Sequence, residues 1–167
     1  MLESLIKLES LKLHKGGFKM KLNVKWDITY KCNLNCNHCV NGSKLNKIKG
    51  ELSIEQIKGV IDQLAEFNIN FVHLLGGEPT FKEGFYEIMD YFEEKNINVG
   101  FNTNGLKLFT TKMKQLLKKK NLTNIIVSLE GPTAKINDMI RGKRVFNKVT
   151  ENLKKIIKHK NENNLDH

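Results

Sequence analysis

The stretch Leu22-Asn-Val-Lys-Trp-Asp-Ile-Thr-Tyr-Lys-Cys-Asn-Leu-Asn-Cys-Asn-His-Cys39 changes character in its middle. Its first half sets Leu22, Val24, Trp26, Ile28 and Tyr30 against alternating polar neighbours, the period of a strand with one apolar face. Its second half gathers all three cysteines of the chain, Cys32, Cys36 and Cys39, into a loop that begins directly after the strand. A strand that delivers a cysteine loop at its carboxyl end is the unit from which the rest is read.

Downstream, the period switches between that of strands and that of helices. Ser53 with Gln56 forms a capping box, and Ile54, Ile57, Val60, Ile61, Leu64 and Phe67 recur at helical spacing behind it. Residues 69–75 form a short apolar run ended by Gly76-Gly77, a buried strand in which His73 is expected to be a satisfied core histidine. A helix over 83–95, carried by Phe85, Ile88, Met89 and Phe92, leads to a strand over 97–101. A third helix follows Thr110 and Thr111 through Met113, Leu116 and Leu117. Residues 125–129 make a fourth strand, and Phe146, Val149, Leu153, Ile156 and Ile157 mark a fourth, long helix ending in the polar tail from Lys160. Four alternating β/α units predict an α/β fold with a parallel sheet, its helices on one or both faces. The boundaries are an amino-terminal extension over 1–21, a core over 22–160 and a polar tail over 161–167. In the extension, Leu2, Leu5, Ile6, Leu8, Leu11 and Leu13 suit an amphipathic helix or an extra strand.

Each distinctive motif falls just past a predicted strand. Cys32 to Cys39 follows the first, Gly76-Gly77-Glu78-Pro79 the second, Asn102-Thr103-Asn104-Gly105 the third, and Ser128-Leu129-Glu130-Gly131-Pro132 closes the fourth. In parallel β/α architectures the carboxyl ends of the strands converge on one active-site face. Taken singly, Gly-Gly before proline, Asn-Gly and Gly-Pro are turn signals. Their shared position on one rim is what points to a site.

Three clustered cysteines, with none left for a distant disulfide, suit thiolates on a metal in a reducing compartment. Structural zinc commonly takes two separated ligand pairs, and a second pair is missing. His38 adjoins Cys39 and is poorly placed to turn its ring onto the same ion. An iron–sulfur cluster of the four-iron type takes one terminal ligand per iron, so three cysteines leave one iron open.

The C-x-x-x-C-x-x-C spacing and the Gly76-Gly77-Glu78-Pro79 motif together resemble the signatures of the radical S-adenosylmethionine (radical SAM) superfamily, over about Val24 to Lys160. In look, the chain is similar to members that modify peptides or build molybdenum cofactor. The resemblance implies a [4Fe-4S] cluster on Cys32, Cys36 and Cys39, with the methionyl amino and carboxylate groups of S-adenosylmethionine on the open iron. It implies one-electron cleavage to methionine and a 5′-deoxyadenosyl radical that takes hydrogen from an unknown substrate, a peptide among the candidates. His38 would lie near the adenine. Gly76 and Gly77 would let backbone approach the cofactor, beside Pro79, while Glu78 would either accept from the cofactor amine or stabilise the loop. Ser128 would meet a sugar or carboxylate oxygen, and Arg141 would offer its fork to the carboxylate. Asn102, Thr103 and Asn104 are further cofactor-side candidates, with a turn as the alternative. No general acid or base is assigned.

The superfamily core is a partial barrel of six β/α units, so the four units found here predict an incomplete TIM-like barrel whose fourth strand is an edge. That leaves a fragment, half of a split enzyme, or a barrel completed by a second chain. With 167 residues, 40% hydrophobic and 28% charged, one globular domain is expected. The absence of a long apolar run or signal core points to the cytoplasm and no membrane. The net charge of +10 suits an acidic electron donor such as flavodoxin or ferredoxin. Nucleic acid is disfavoured, because only Arg141 and Arg144 stand among the 28 basic residues. Abundant Lys and Asn read as composition bias. The alternative to an enzyme is a noncatalytic metal-binding module acting through a partner.

Overall fold

The structure is a computed structural model and describes residues 22–42 and 45–165. The reading of the amino-terminal extension lies outside these residues. Four strands, β1 (Asn23–Thr29), β2 (Phe71–Gly76), β3 (Asn98–Thr103) and β4 (Leu122–Val127), form one sheet in the order β1-β2-β3-β4. Every adjacent pair is parallel. Helices α1 (Ile54–Glu66), α2 (Phe85–Glu94) and α3 (Thr111–Leu116) follow the first three strands, and α4 (Ala134–Arg141) and α5 (Val145–Glu162) follow the fourth. Sequential order with a helix between parallel neighbours is the expected β/α progression. Within the described sheet, β1 and β4 are the edges.

The core lies between the sheet and its helices. Ile57 and Ile61 of α1, and Ile88, Met89 and Phe92 of α2, pack with Val72 and Leu74 of β2 and Val99 and Phe101 of β3. Phe101 meets Phe85 edge to face, with centroids 5.3 Å apart. Val24, Trp26 and Ile28 of β1 join this layer. The strand period turns the alternate residues to the other face. There Lys25, His73, Gly100 and Asn124 stand side by side across the register. Asn124 Oδ1 lies only 1.8 Å from where a Cβ on Gly100 would be, so that position admits no side chain. His73 is buried as expected, and its Nε2 sits 2.7 Å from Asn102 Oδ1.

Most local readings hold. The capping box of α1 is formed in full, with the Gln56 N–H donating to Ser53 Oγ and the Ser53 N–H to Gln56 Oε1. Thr110 caps α3 by accepting from the Met113 N–H. Three details differ. The fourth strand runs from Leu122 to Val127: it starts ahead of its apolar run, because the exposed polar pair Thr123 and Asn124 breaks the apolar signal, and it ends before Ser128. An unanticipated helix, α4, occupies Ala134–Arg141, started by Thr133, which accepts from the Ile136 N–H. And α5 continues through Lys160 to Glu162, since a polar end does not stop an amphipathic helix. Leu165 beyond it packs on the core.

Candidate functional site

The four motif loops lie at the carboxyl ends of the strands, tied to one another by polar side chains. Glu78, only 1% exposed, is the centre of these ties. Its Oε1 accepts from the Thr80 hydroxyl at 2.7 Å, the Thr103 hydroxyl at 2.9 Å and the Thr80 N–H at 3.3 Å. Its Oε2 accepts from the Asn104 N–H at 2.6 Å. Of the two roles open to Glu78, its carboxylate fills the loop-stabilising one here. A buried carboxylate surrounded by four donors is a strong local constraint. Thr103 Oγ1 also accepts from the Gly105 N–H, and Asn104 Nδ2 donates to Asn33 Oδ1 at 2.7 Å, inside the cysteine loop.

Gly76 and Gly77 explain why the second loop sits so close to the first. Gly76 has φ +130°, and a Cβ there would lie 2.2 Å from the Thr29 carbonyl oxygen. A Cβ on Gly77 would lie 2.4 Å from that of Lys31. The Gly77 and Glu78 N–H groups donate to those two carbonyls at 2.7 and 2.8 Å. The glycines are thus required by the backbone leading into Cys32. Pro79 is buried and opens the short 3-10 turn Pro79–Phe81. Just beyond it, Lys82 donates to Glu51 Oε2 at 3.2 Å and to the Leu52 carbonyl at 2.7 Å. Glu51 accepts from Thr29 Oγ1 and the Tyr30 N–H. Burial works to raise its pKa, but these donors and Lys82 outweigh it and hold the carboxyl below its ordinary value.

The cysteine loop is also anchored from both sides. Asn46 accepts from the Cys32 N–H at 3.1 Å and donates to the Cys32 carbonyl at 3.0 Å. Asn37 donates through its backbone to the Ile140 carbonyl and through its side chain to that of Met139, both at 2.9 Å. The loop therefore docks on the carbonyl end of α4, using groups that a helix terminus leaves free.

All three cysteines are free thiols of intermediate exposure. Burial pushes the Cys32 thiol up, with charge from Glu78, Cys36 and Cys39 adding and the Leu34 N–H opposing. Cys36 is pushed up by burial against the pull of Arg141. The three sulfurs sense one another's charge. Among the described residues no three His, Cys, Asp or Glu side chains are gathered to hold a single ion. A cluster takes one thiolate per iron and needs no such convergence. A loop of three free thiols that do not converge on one ion thus fits a polynuclear group with one thiolate per iron.

Arg141, at the end of α4, is 7% exposed. Its Nη1 donates to Glu130 Oε1 at 2.8 Å, while its Nε–H is buried with no partner. His38 Nε2 lies 3.3 Å from the same Glu130 oxygen. Ser128 stands half-buried at the exit of β4, its N–H donating to the Thr103 carbonyl. The candidate residues are thus brought to one rim, although Asn102 pairs with His73 on the open face of the sheet. Sequence reading passed over Asn33, Asn37, Asn46 and Glu130. The asparagines were hidden in a general Asn excess.

Residues 26–166 match the model of the Radical SAM superfamily. The chain is 37% identical over 130 residues to the mycofactocin maturase MftC of Mycobacterium tuberculosis, covering 78% of this chain and 33% of that protein. It is 38% identical over 119 residues to the Fe-coproporphyrin III synthase of Methanosarcina barkeri, covering 71% of this chain and 29% of that one. In fold it is similar to Streptococcus suis SuiB bound to S-adenosylmethionine, with TM-score 0.66 and 21% identity over 87% of this chain and 39% of SuiB. The chain belongs to the radical SAM superfamily, with the [4Fe-4S] cluster and S-adenosylmethionine that define it. It spans about a third of the length of these curated relatives.

Glu78→Ala leaves donors from Thr80, Thr103 and Asn104 buried without an acceptor. It is expected to lower the unfolding free energy by about 3 kcal/mol, read by urea denaturation. A loss below about 1 kcal/mol would show that the loops do not depend on this carboxylate.

Proposed function

We propose that this chain carries the cofactor-binding portion, over residues 22–160, of a radical SAM enzyme that acts on a peptide in the cytoplasm. Free thiols suit that reducing compartment. The observation that carries the reading is the union of the three-cysteine loop with the Gly-Gly-Glu-Pro loop through Gly77, Glu78, Asn104 and Asn33. Peptide as the substrate class is supported by SuiB, which is solved with its precursor peptide SuiA.

Cys32, Cys36 and Cys39 would hold the cluster. The chemistry such a cluster would supply when bound is one-electron reductive cleavage of S-adenosylmethionine to methionine and a 5′-deoxyadenosyl radical able to take hydrogen from substrate. Arg141 would bind the cofactor carboxylate through its unpartnered Nε–H. Ser128 would reach a ribose or carboxylate oxygen from the β4 exit. His38 would flank the adenine beside Cys39. Gly76, Gly77, Glu78 and Pro79, with Thr103 and Asn104, would shape the cofactor side of the rim, and Asn102 would add its amide on the open sheet face. The edge position of β4 leaves room for further strands or a second chain to extend the barrel. No described helix is long and apolar enough to cross a membrane.

Anaerobically reconstituted chain, given S-adenosylmethionine and a strong chemical reductant, is expected to release 5′-deoxyadenosine, and Cys36→Ala to abolish release. Release unchanged in Cys36→Ala would contradict the assignment. The net charge of +10 supports an acidic one-electron donor such as flavodoxin or ferredoxin. Reduction by flavodoxin should slow as salt rises, and a rate indifferent to ionic strength would remove the electrostatic part of this proposal.

A further inference from the structure

Glu130 has no part in the reading so far, yet it lies where the two halves of the site meet. Its N–H donates to Asn137 Oδ1 at 3.0 Å, and Asn137 is wholly buried. Asn137 in turn donates to Asp138, whose carboxylate accepts from the Arg144 and Phe146 N–H groups. The backbone at Glu130 is therefore fixed to α4 and to the start of α5. From this fixed point one oxygen, Oε1, meets Arg141 Nη1 at 2.8 Å and His38 Nε2 at 3.3 Å.

The partnering of Arg141 is asymmetric. A guanidinium held through Nη1 still presents the edge formed by Nε and Nη2, and that edge matches the two oxygens of a carboxylate. On Arg141 the Nε–H of that edge is buried without an acceptor. A buried unpaired donor on a charged group is costly, so the arrangement is explained by a ligand that completes it. Glu130 cannot be that ligand, because its contact is with Nη1.

We propose that Glu130 is a positioning residue for cofactor recognition. It holds Arg141 by Nη1 so that the Nε edge stays directed at an α-carboxylate, and it braces His38 on the cysteine loop against the same oxygen. This rests on the reading of the site as one for S-adenosylmethionine. Glu130 is not a cluster ligand and, in this account, does not touch the cofactor, although its charge acts on Cys36.

The test is equilibrium binding of two probes to the cluster-loaded chain: S-adenosylmethionine and its decarboxylated analogue, which keeps the amine and sulfonium but lacks the carboxylate. Glu130→Ala is expected to weaken S-adenosylmethionine by about tenfold or more while leaving the analogue within about threefold. Glu130→Gln, which keeps an oxygen acceptor, should retain affinity for both within about threefold. Should Glu130→Ala fold poorly, Glu130→Asp keeps the charge, withdraws the oxygen by one methylene, and should show the same selective loss. Equal weakening of both probes would overturn the proposal in favour of a merely structural role, and so would unchanged binding of both. Failure of the unsubstituted chain to bind either probe would instead overturn the cofactor reading itself, and this proposal with it.

Discussion

The site depends on one buried carboxylate. Glu78 sits at the exit of β2, yet the donors it accepts from belong to its own turn and to the exit of β3. Through Asn104 the same network reaches Asn33 between the first two cysteines. A charge buried this deeply is tolerable only when its acceptor sites are filled, so the loops must close around it together or not at all. The close approach of Gly76 and Gly77 to Thr29 and Lys31 is the backbone counterpart of that constraint. Together they fix the start of the cysteine loop relative to the second strand, while Asn37, donating to the Met139 and Ile140 carbonyls of α4, fixes its later part.

This division of labour separates scaffold from ligand contacts. Glu78, Thr103 and Asn104 spend their hydrogen bonds on one another, on Thr80 and Asn33, and on the backbone. Among the described residues, the one deeply buried side chain of the rim with an unspent donor is Arg141. The cysteines are half-buried and free, and burial is the first cause that raises the pKa of Cys32 and Cys36. A cluster takes these thiols as thiolates, and the positive charge of its metal core would favour that deprotonated form against burial.

The fold was legible wherever periodicity and capping agreed. Ser53 with Gln56 marked α1, Thr110 marked α3, and the alternation from Leu22 to Tyr30 marked β1. What escaped has physical reasons. Strand β4 is an edge that opens with the exposed polar pair Thr123 and Asn124, so its apolar run was shorter than the strand. Helix α4 is short and largely polar, and its cap, Thr133, follows a Gly-Pro turn that reads as loop. The motif positions were legible because strand ends in parallel sheets share one side. The partners were not, since Glu78 to Asn104 or Asn37 to Met139 are long-range pairings that no local pattern encodes. Asparagine is especially opaque in this respect, because an amide that latches two loops and one that merely faces water look alike in a Lys- and Asn-rich chain.

The central claim is that three cysteines hold a cluster with one iron left open to S-adenosylmethionine. Its most direct test is metal and sulfide analysis of the anaerobically reconstituted chain, joined to the electron paramagnetic resonance spectrum of its reduced form with and without S-adenosylmethionine. The account predicts about four irons and as many sulfides per chain, with a spectrum that changes when the cofactor is added. Stoichiometric zinc, or an iron–sulfur spectrum indifferent to the cofactor, would contradict it.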